Sequence, residues 1–275
     1  MSEFNPVIIE FMKIGLCIGG GGAKGLAAVS IVEGLLNKGI QFSAISGTSM
    51  GAIVGTYLAL RGEVTSLKKD VLNKNAFEWI KMLDPNITQR NALIKGKKFY
   101  KEYSRMFDDK TFYDLQTPLY VTATNLHEGK LEYMNKGKLV DAAMASSAYP
   151  GVFPPHKING VPYSDGGIMD NLPYEILFEK GMDKVIVINL FSRIQKRDSD
   201  FSKMRSVIAR SLNLLMANAL EADLTKAENI FVFHPHIEGP LVVTSFKLSK
   251  LKDNFEAGSK EFKEKEKSLD DWLNA

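Results

Sequence analysis

A serine with glycine two residues away on either side, Gly47-Thr48-Ser49-Met50-Gly51, ends an apolar run that begins at Ile40. A second apolar, small-residue segment without proline follows at once, through Leu60. That order reads as strand, sharp turn and helix. On such a turn the backbone is tight, and glycines at −2 and +2 keep a Cβ from colliding with the neighbouring strand and helix. The hydroxyl is pushed beyond the end of the sheet, at a helix N-terminus whose amides and dipole favour developing negative charge. Ser49 is therefore the candidate nucleophile for acyl transfer. By itself the pattern is weak, because a glycine-rich turn can carry an incidental serine. The flanking strand and helix give it weight.

A serine nucleophile also needs donors for an oxyanion, and a base. Gly19-Gly20-Gly21-Gly22-Ala23-Lys24-Gly25 follows the first apolar strand, Lys13 to Ile18. Bare amides at Gly20, Gly21, Gly22, Ala23 and Lys24 are the candidate oxyanion donors. The same run fits the dinucleotide-binding pattern, but that needs an acid about 20 residues on, and residues 40–50 contain none. A P-loop needs Gly-Lys-Ser/Thr, whereas Lys24 here precedes Gly25 and Leu26. For the base there are four histidines, of which His234 and His236 fall late enough to complete a triad; each also suits a capped strand end or a solvated position. Asp165, before Gly166 and Gly167, is the rival, although Asp-Gly-Gly is equally a plain turn.

The elements that must carry these groups begin as strand, glycine loop, helix (Leu26 to Asn37), strand, serine turn and helix. A βαβα start implies an α/β fold with a mostly parallel central sheet and helices on both faces. Residues 63–114 alternate lysines and arginines, Arg90 among them, with aromatic residues such as Phe77, Trp79, Phe99 and Tyr103. They read as amphipathic helices packed on the sheet, or as a cap over the site that touches lipid. Leu119 to Asn125 is a strand, Val140 to Ala148 a small-residue helix, and Asn159-Gly160 a hairpin turn leading into Asp165. Lys184 to Leu190 and Ile230 to Phe233 are further strands, Met204 to Ala227 is a long helix, and residues 252–273 form a charged C-terminal helix. With no linker or repeat, residues 1–275 are expected to form one domain, with a motif core at about 13–190.

The chain has 275 residues, 45% of them apolar and 24% charged, with a net charge of +3. Core size is not limiting, and the charge gives no reason to expect nucleic acid while allowing mild attraction to anionic membranes. Cys17 is the single cysteine, which excludes an internal disulfide; in an apolar strand it reads as an inert buried thiol. Met1 to Met12 lacks a basic region followed by a long apolar core, so no signal peptide is expected. No apolar run approaches about 18 residues. A cytoplasmic protein with peripheral membrane contact is the expectation.

Together the glycine loop Gly20 to Gly25, the turn Gly47 to Gly51, the run Ala145-Ser146-Ser147-Ala148-Tyr149-Pro150-Gly151-Val152-Phe153-Pro154-Pro155 and Asp165-Gly166-Gly167 resemble the patatin-like phospholipase family, in order and rough spacing. The resemblance covers about Lys13 to Leu190. It implies a patatin-like three-layer sandwich and a Ser49–Asp165 dyad instead of a triad. It also implies oxyanion donors from the glycine loop, structural support from Gly25, Gly47, Gly51, Gly166 and Gly167, and hydrolysis of fatty acyl esters of phospholipids or lysophospholipids. No metal or other cofactor, calcium included, is implied. Lys24 stands where the family has Arg or Lys, and Gly19 replaces an Asp frequent in plant members; neither touches the dyad. An unperturbed aspartate is about 2.5 pK units less basic than histidine, a handicap of about 3.5 kcal/mol that burial of Asp165 would partly remove. The alternatives are a Ser-Asp-His carboxylesterase on small soluble esters and a catalytically idle binding or storage protein of the same fold.

Overall fold

The computed structural model of the protein describes residues 12–86, 92–191, 201–202, 204–224, 229–237 and 248–275. The stretch read for a signal peptide up to residue 11, Arg90, and the end of the predicted helix at Ala227 lie outside them.

The central strand β1 (Ile14–Ile18) pairs in parallel with β2 (Ala44–Gly47) on one side and with β7 (Lys184–Ile188) on the other. β8 (Ile230–Phe233) continues the parallel sheet beyond β7, and β3 (Leu119–Asn125) continues it beyond β2. The alternation of side chains explains why β1 and nearly all of β7 are apolar. Leu16, Ile18, Ile186 and Ile188 enter one core, while Cys17, Val185 and Val187 enter a second on the opposite face. A strand buried on both faces has no polar side to show.

Helices cover both faces. α1 (Leu26–Asn37), α2 (Met50–Arg61), α6 (Leu139–Ser146) and α9 (Leu248–Asn274) supply the larger core. The short α7 (Glu175–Glu179) and Ala217 of α8 (Met204–Leu224) supply the other. The expected α/β three-layer architecture is therefore present. The segment expected as helical contains α3 (Thr65–Asn73), α4 (Ala76–Met82) and α5 (Lys97–Met106).

The rest of the sheet is antiparallel. β4 (Lys130–Met134) returns along β3, and the hairpin of β5 (His156–Ile158) and β6 (Val161–Asp165) closes the edge. Asn159 and Gly160 turn it with φ of 50° and 85°, both positive as a two-residue type I′ hairpin requires.

The register of β3 positions the site. Val121 pairs with both Gly47 of β2 and Met134 of β4, so these two strands flank opposite edges. Ala123 pairs with both Glu132 of β4 and Asp165 of β6, so β6 shares the edge of β2. Two strand ends thus meet head-on along one edge of β3, with only Thr122 between their pairing positions, about 7 Å of strand from Val121 to Ala123.

The charged C-terminal helix, expected over residues 252–273, runs over Leu248–Asn274 and lies along α1. Its apolar stripe is buried: Leu251, Phe255, Phe262 and Leu269 enter the main core. Phe262 stacks on Phe233 of β8, and Lys38 at the end of α1 pairs with Glu266 and Asp270. Burial supplies most of this docking, since exposed ion pairs contribute little. Leu269 is fully buried. Leu269→Ala is expected to lower unfolding free energy by about 2–5 kcal/mol, read from urea denaturation, through lost transfer energy and the cavity it leaves.

Candidate active site

Ser49 sits at the junction of β2 and α2 with φ 54° and ψ −122°, a left-handed conformation that costs a non-glycine residue on the order of 1–3 kcal/mol. The surroundings hold it there. Its N–H donates to Ser146 Oγ at 2.8 Å, its carbonyl accepts from Ile53 N–H at 3.2 Å, and the preceding Thr48 N–H donates to Ile18 O at 3.1 Å. Thr48 and Thr122 share a hydroxyl–hydroxyl hydrogen bond of 2.7 Å at the gap between β2 and β6. Glycines make the approach possible: a Cβ on Gly51 would lie 2.1 Å from Ile18 O, and one on Gly166 2.2 Å from Thr122 Oγ1. Gly25, Gly47 and Gly167 are similarly crowded, against Met50, Gly51 and Asn171.

Asp165 ends β6, and its carboxylate lies within electrostatic reach of the Ser49 hydroxyl, the two lining one cavity. Its Oδ1 also accepts from Gly167 N–H at 2.8 Å, while its own N–H and carbonyl are held by Ala148 O and Thr124 Oγ1. The side chain is almost fully buried, with 2% exposure. Burial pushes its pKa up to about 6, against the downward pull of the Gly167 amide and the Ser49 hydroxyl. The carboxylate is thus nearly as basic as an ordinary imidazole.

The glycine loop comes next to the serine at the end of β1. A Cβ on Gly20 would lie 3.1 Å from Ser49 Cβ. Gly22–Gly25 form a single 3-10 turn, and Gly20, Gly21, Gly22 and Ala23 line the same cavity as Ser49 and Asp165. No acceptor among the described residues receives their amides. Lys24 departs from the expectation: its amide closes the turn on Gly21 O at 3.1 Å and its buried ammonium donates to Ile237 O at 3.0 Å, so it is turned away from the cavity.

That cavity, about 180 Å³, has space for several waters or a stretch of one hydrocarbon chain, and its lining is overwhelmingly apolar. Trp79 of α4, Leu83, Ile94, and Phe99 and Tyr103 of α5 contribute to it, with Phe153 in edge contact with Phe99. Residues 63–114 therefore both pack on the fold and wall the site.

The histidines lie elsewhere. His234 Nε2 is bonded to Phe191 O at 2.8 Å and its amide to Glu261, at the end of β8, and His236 is exposed. His156 pairs with Asp141, and His127 is exposed in the turn after β3. None of the four lines the cavity. Cys17 is buried and inert, its thiol pushed well up by burial. No group of three or more metal-ligating side chains occurs among the described residues.

A strained serine, a buried carboxylate and unengaged amides that line one cavity, at the carboxyl ends of β1, β2 and β6, have the chemistry that acyl transfer needs. A sequence model of the family described as patatin-like phospholipase matches residues 16–178, more than half of the chain, which therefore belongs to that family. An uncharacterized NTE family protein of Mycobacterium tuberculosis is 30% identical over 178 residues, which are 65% of this chain and 49% of that protein. The lysophospholipase nte1 of Aspergillus oryzae is 29% identical over 183 residues, 66% of this chain and 12% of that one. The chain thus aligns with about half of the mycobacterial relative and about an eighth of the fungal one. Among solved structures, VipD from Legionella pneumophila matches with a TM-score of 0.56 at 15% identity, over 92% of this chain and 66% of that one, a likeness of fold.

The raised pKa of Asp165 has a consequence for stability. The folded chain holds this proton more tightly than the unfolded chain, so its stabilisation is complete below the unfolded value of 3.8 and is lost as pH rises through about 6. At about 1.4 kcal/mol per pK unit the loss is at most about 3 kcal/mol. Asp165→Asn is expected to be more stable than wild type by up to that amount at pH 8, the difference shrinking towards zero near pH 4, as read from denaturant unfolding at the two pH values.

Proposed function

We propose that this protein is a serine lipid acyl hydrolase that cleaves fatty acyl esters of phospholipids or lysophospholipids through a Ser49–Asp165 dyad and an acyl-enzyme. The observation that carries this proposal is the placement of the Ser49 hydroxyl and the buried Asp165 carboxylate together in one apolar cavity rimmed by unengaged backbone amides. Ser49 Oγ gives its proton to Asp165 and attacks the ester carbonyl. Amides of Gly20, Gly21, Gly22 and Ala23 receive the oxyanion; Asp165 returns the proton to the departing alcohol or lysolipid. A water that loses its proton to Asp165 then attacks the acyl-serine, and Asp165 returns that proton to Ser49 Oγ as the fatty acid leaves. With a carboxylate of pKa about 6, the handicap against an imidazole falls from about 3.5 kcal/mol to below about 1 kcal/mol. The apolar wall suits an acyl chain and offers no charged partner for a polar acid component.

The Ser-Asp-His alternative fares worse, since the ring of His234 is occupied by Phe191 O and no imidazole lines the cavity. An idle binding protein has no use for a strained serine.

Two experiments test the proposal. Against a panel of phospholipids, lysophospholipids and p-nitrophenyl esters, Ser49→Ala and Asp165→Asn are each expected to lose at least about 10³-fold in kcat. Wild-type kcat/KM should rise with pH to a plateau above about 6, the ionised carboxylate being the active form. Activity that survives Asp165→Asn but not His234→Ala would replace the dyad with the triad.

Peripheral membrane contact belongs to the same proposal. Phe77 and Leu93, close in sequence to the cavity-lining Trp79 and Ile94, are exposed together with Lys95, Lys97, Lys98 and Lys101. Binding to anionic liposomes is expected to exceed binding to neutral ones at low salt and to converge with it at high salt. Equal binding in all four conditions would remove the electrostatic contribution.

A further inference from the structure

Asn171 is buried to 4% exposure and lines the cavity, yet the proposed chemistry does not use it. Its Nδ2 donates to Gly20 O at 3.3 Å. Its Oδ1 faces two backbones at once: a Cβ on Gly20 would lie 2.5 Å from it, and one on Gly167 2.7 Å. The neighbouring Asp170 spends Oδ1 on its own loop, accepting from Leu172 N–H at 3.0 Å. Asn171 instead reaches across the site, joining the glycine loop after β1 to the turn that comes after Asp165.

We infer that Asn171 is a positioning residue that aims the Gly21 amide at the substrate oxygen, an inference that rests on the hydrolase reading. The peptide group is planar and trans, so the Gly20 carbonyl and the Gly21 N–H point in opposite directions in one rigid unit. Holding the carbonyl on Asn171 fixes where the amide points. Some such hold is needed because this unit lies between two glycines, where rotation that flips it meets no Cβ. Gly21 lines the cavity, and its N–H engages no acceptor among the described residues. In the held orientation that N–H is available to an oxyanion. In the flipped one the Gly20 carbonyl would take its place, replacing an attractive dipole by a repulsive one at the point where negative charge develops.

The same side chain abuts Gly167, whose N–H holds Asp165 Oδ1. One residue therefore keeps the donor loop and the base in a fixed relation.

Asn171→Ala and the volume-matched Asn171→Leu both remove the donor to Gly20 O, and thermal unfolding establishes that each is folded. On a soluble p-nitrophenyl ester, kcat is expected to fall about 10- to 100-fold with KM within about threefold of wild type, somewhat less than deletion of an oxyanion donor itself. Inhibition by an acyl trifluoromethyl ketone, whose serine adduct carries an oxyanion, should weaken by the same factor. Inhibition by the product fatty acid and the pH midpoint of kcat/KM should not move. Turnover and ketone affinity within threefold of wild type in the folded variants would overturn the inference, as would equal losses of ketone and fatty-acid affinity, which mark general damage to the cavity. A wild type without Ser49-dependent esterase activity would bring down the hydrolase reading itself, and is measured first.

Discussion

One edge of β3 carries two strands that arrive from opposite directions, and the site depends on that meeting. β2 runs in parallel until Gly47 lies opposite Val121, and β6 runs back until Asp165 lies opposite Ala123. Each strand must stop where it does, or it would run into the other. Beyond each end the chain has to leave the plane of the sheet at once, from β2 into α2 through Ser49 and from β6 into a 3-10 turn through Gly166. The hydroxyl and the carboxylate are thereby brought together by sheet register, which is fixed by the core on both faces and is stiffer than any loop. Thr122, the one position of this edge between the two strand ends, ties the junction through its hydrogen bond to Thr48.

Two local features of the site oppose folding. Ser49 holds a left-handed conformation, and Asp165 holds a carboxylate where burial disfavours its charge. Each costs on the order of 1–3 kcal/mol, a large share of the net stability of an ordinary domain. Neither persists unless the surroundings over-determine it. The two cores do so from above and below, through strands whose side chains are fully buried in both directions. The hydrogen bonds around the site then select the strained geometry from the few that the packed backbone allows. A rigid, doubly buried parallel sheet is thus a prerequisite for the chemistry and not merely its support.

Much of this was legible in the sequence. The βαβα order, the Asn-Gly hairpin and the glycine-flanked serine are short-range signals, each written within a few residues of the feature it specifies, and they lead to the sheet, its helical layers and the turn at Ser49. Asp165 was harder, because Asp-Gly-Gly is an ordinary turn until it is placed beside the other motifs. Ser146 and Asn171 carried no readable sign of their place. The first acts on a residue 97 positions away and the second on one 151 positions away. A serine at the end of a helix and an asparagine after a turn look the same whether they serve their own loop or a distant one. Lys24 misled for the converse reason: its neighbours have free amides, but the 3-10 turn that Gly22 starts consumes its own.

In the proposed dyad a carboxylate takes the place of an imidazole, which changes what the rest of the site must do. An imidazole brings two nitrogens, one to take the proton and one to be oriented by a further acid. A carboxylate needs no third partner, because one oxygen can be fixed while the other remains available, and here the Gly167 amide fixes Oδ1. That amide also limits basicity, since a hydrogen bond to the charged form lowers the pKa. The carboxylate is therefore held between two demands: enough hydrogen bonding to keep its orientation, and enough burial to keep it basic. Removing water from the cavity satisfies the second without loosening the first. The apolar wall formed by Trp79, Phe99, Tyr103 and Phe153 then has two physical effects, since the surface suited to the proposed acyl chain is also the surface that excludes the water which would otherwise return Asp165 to an ordinary acidity.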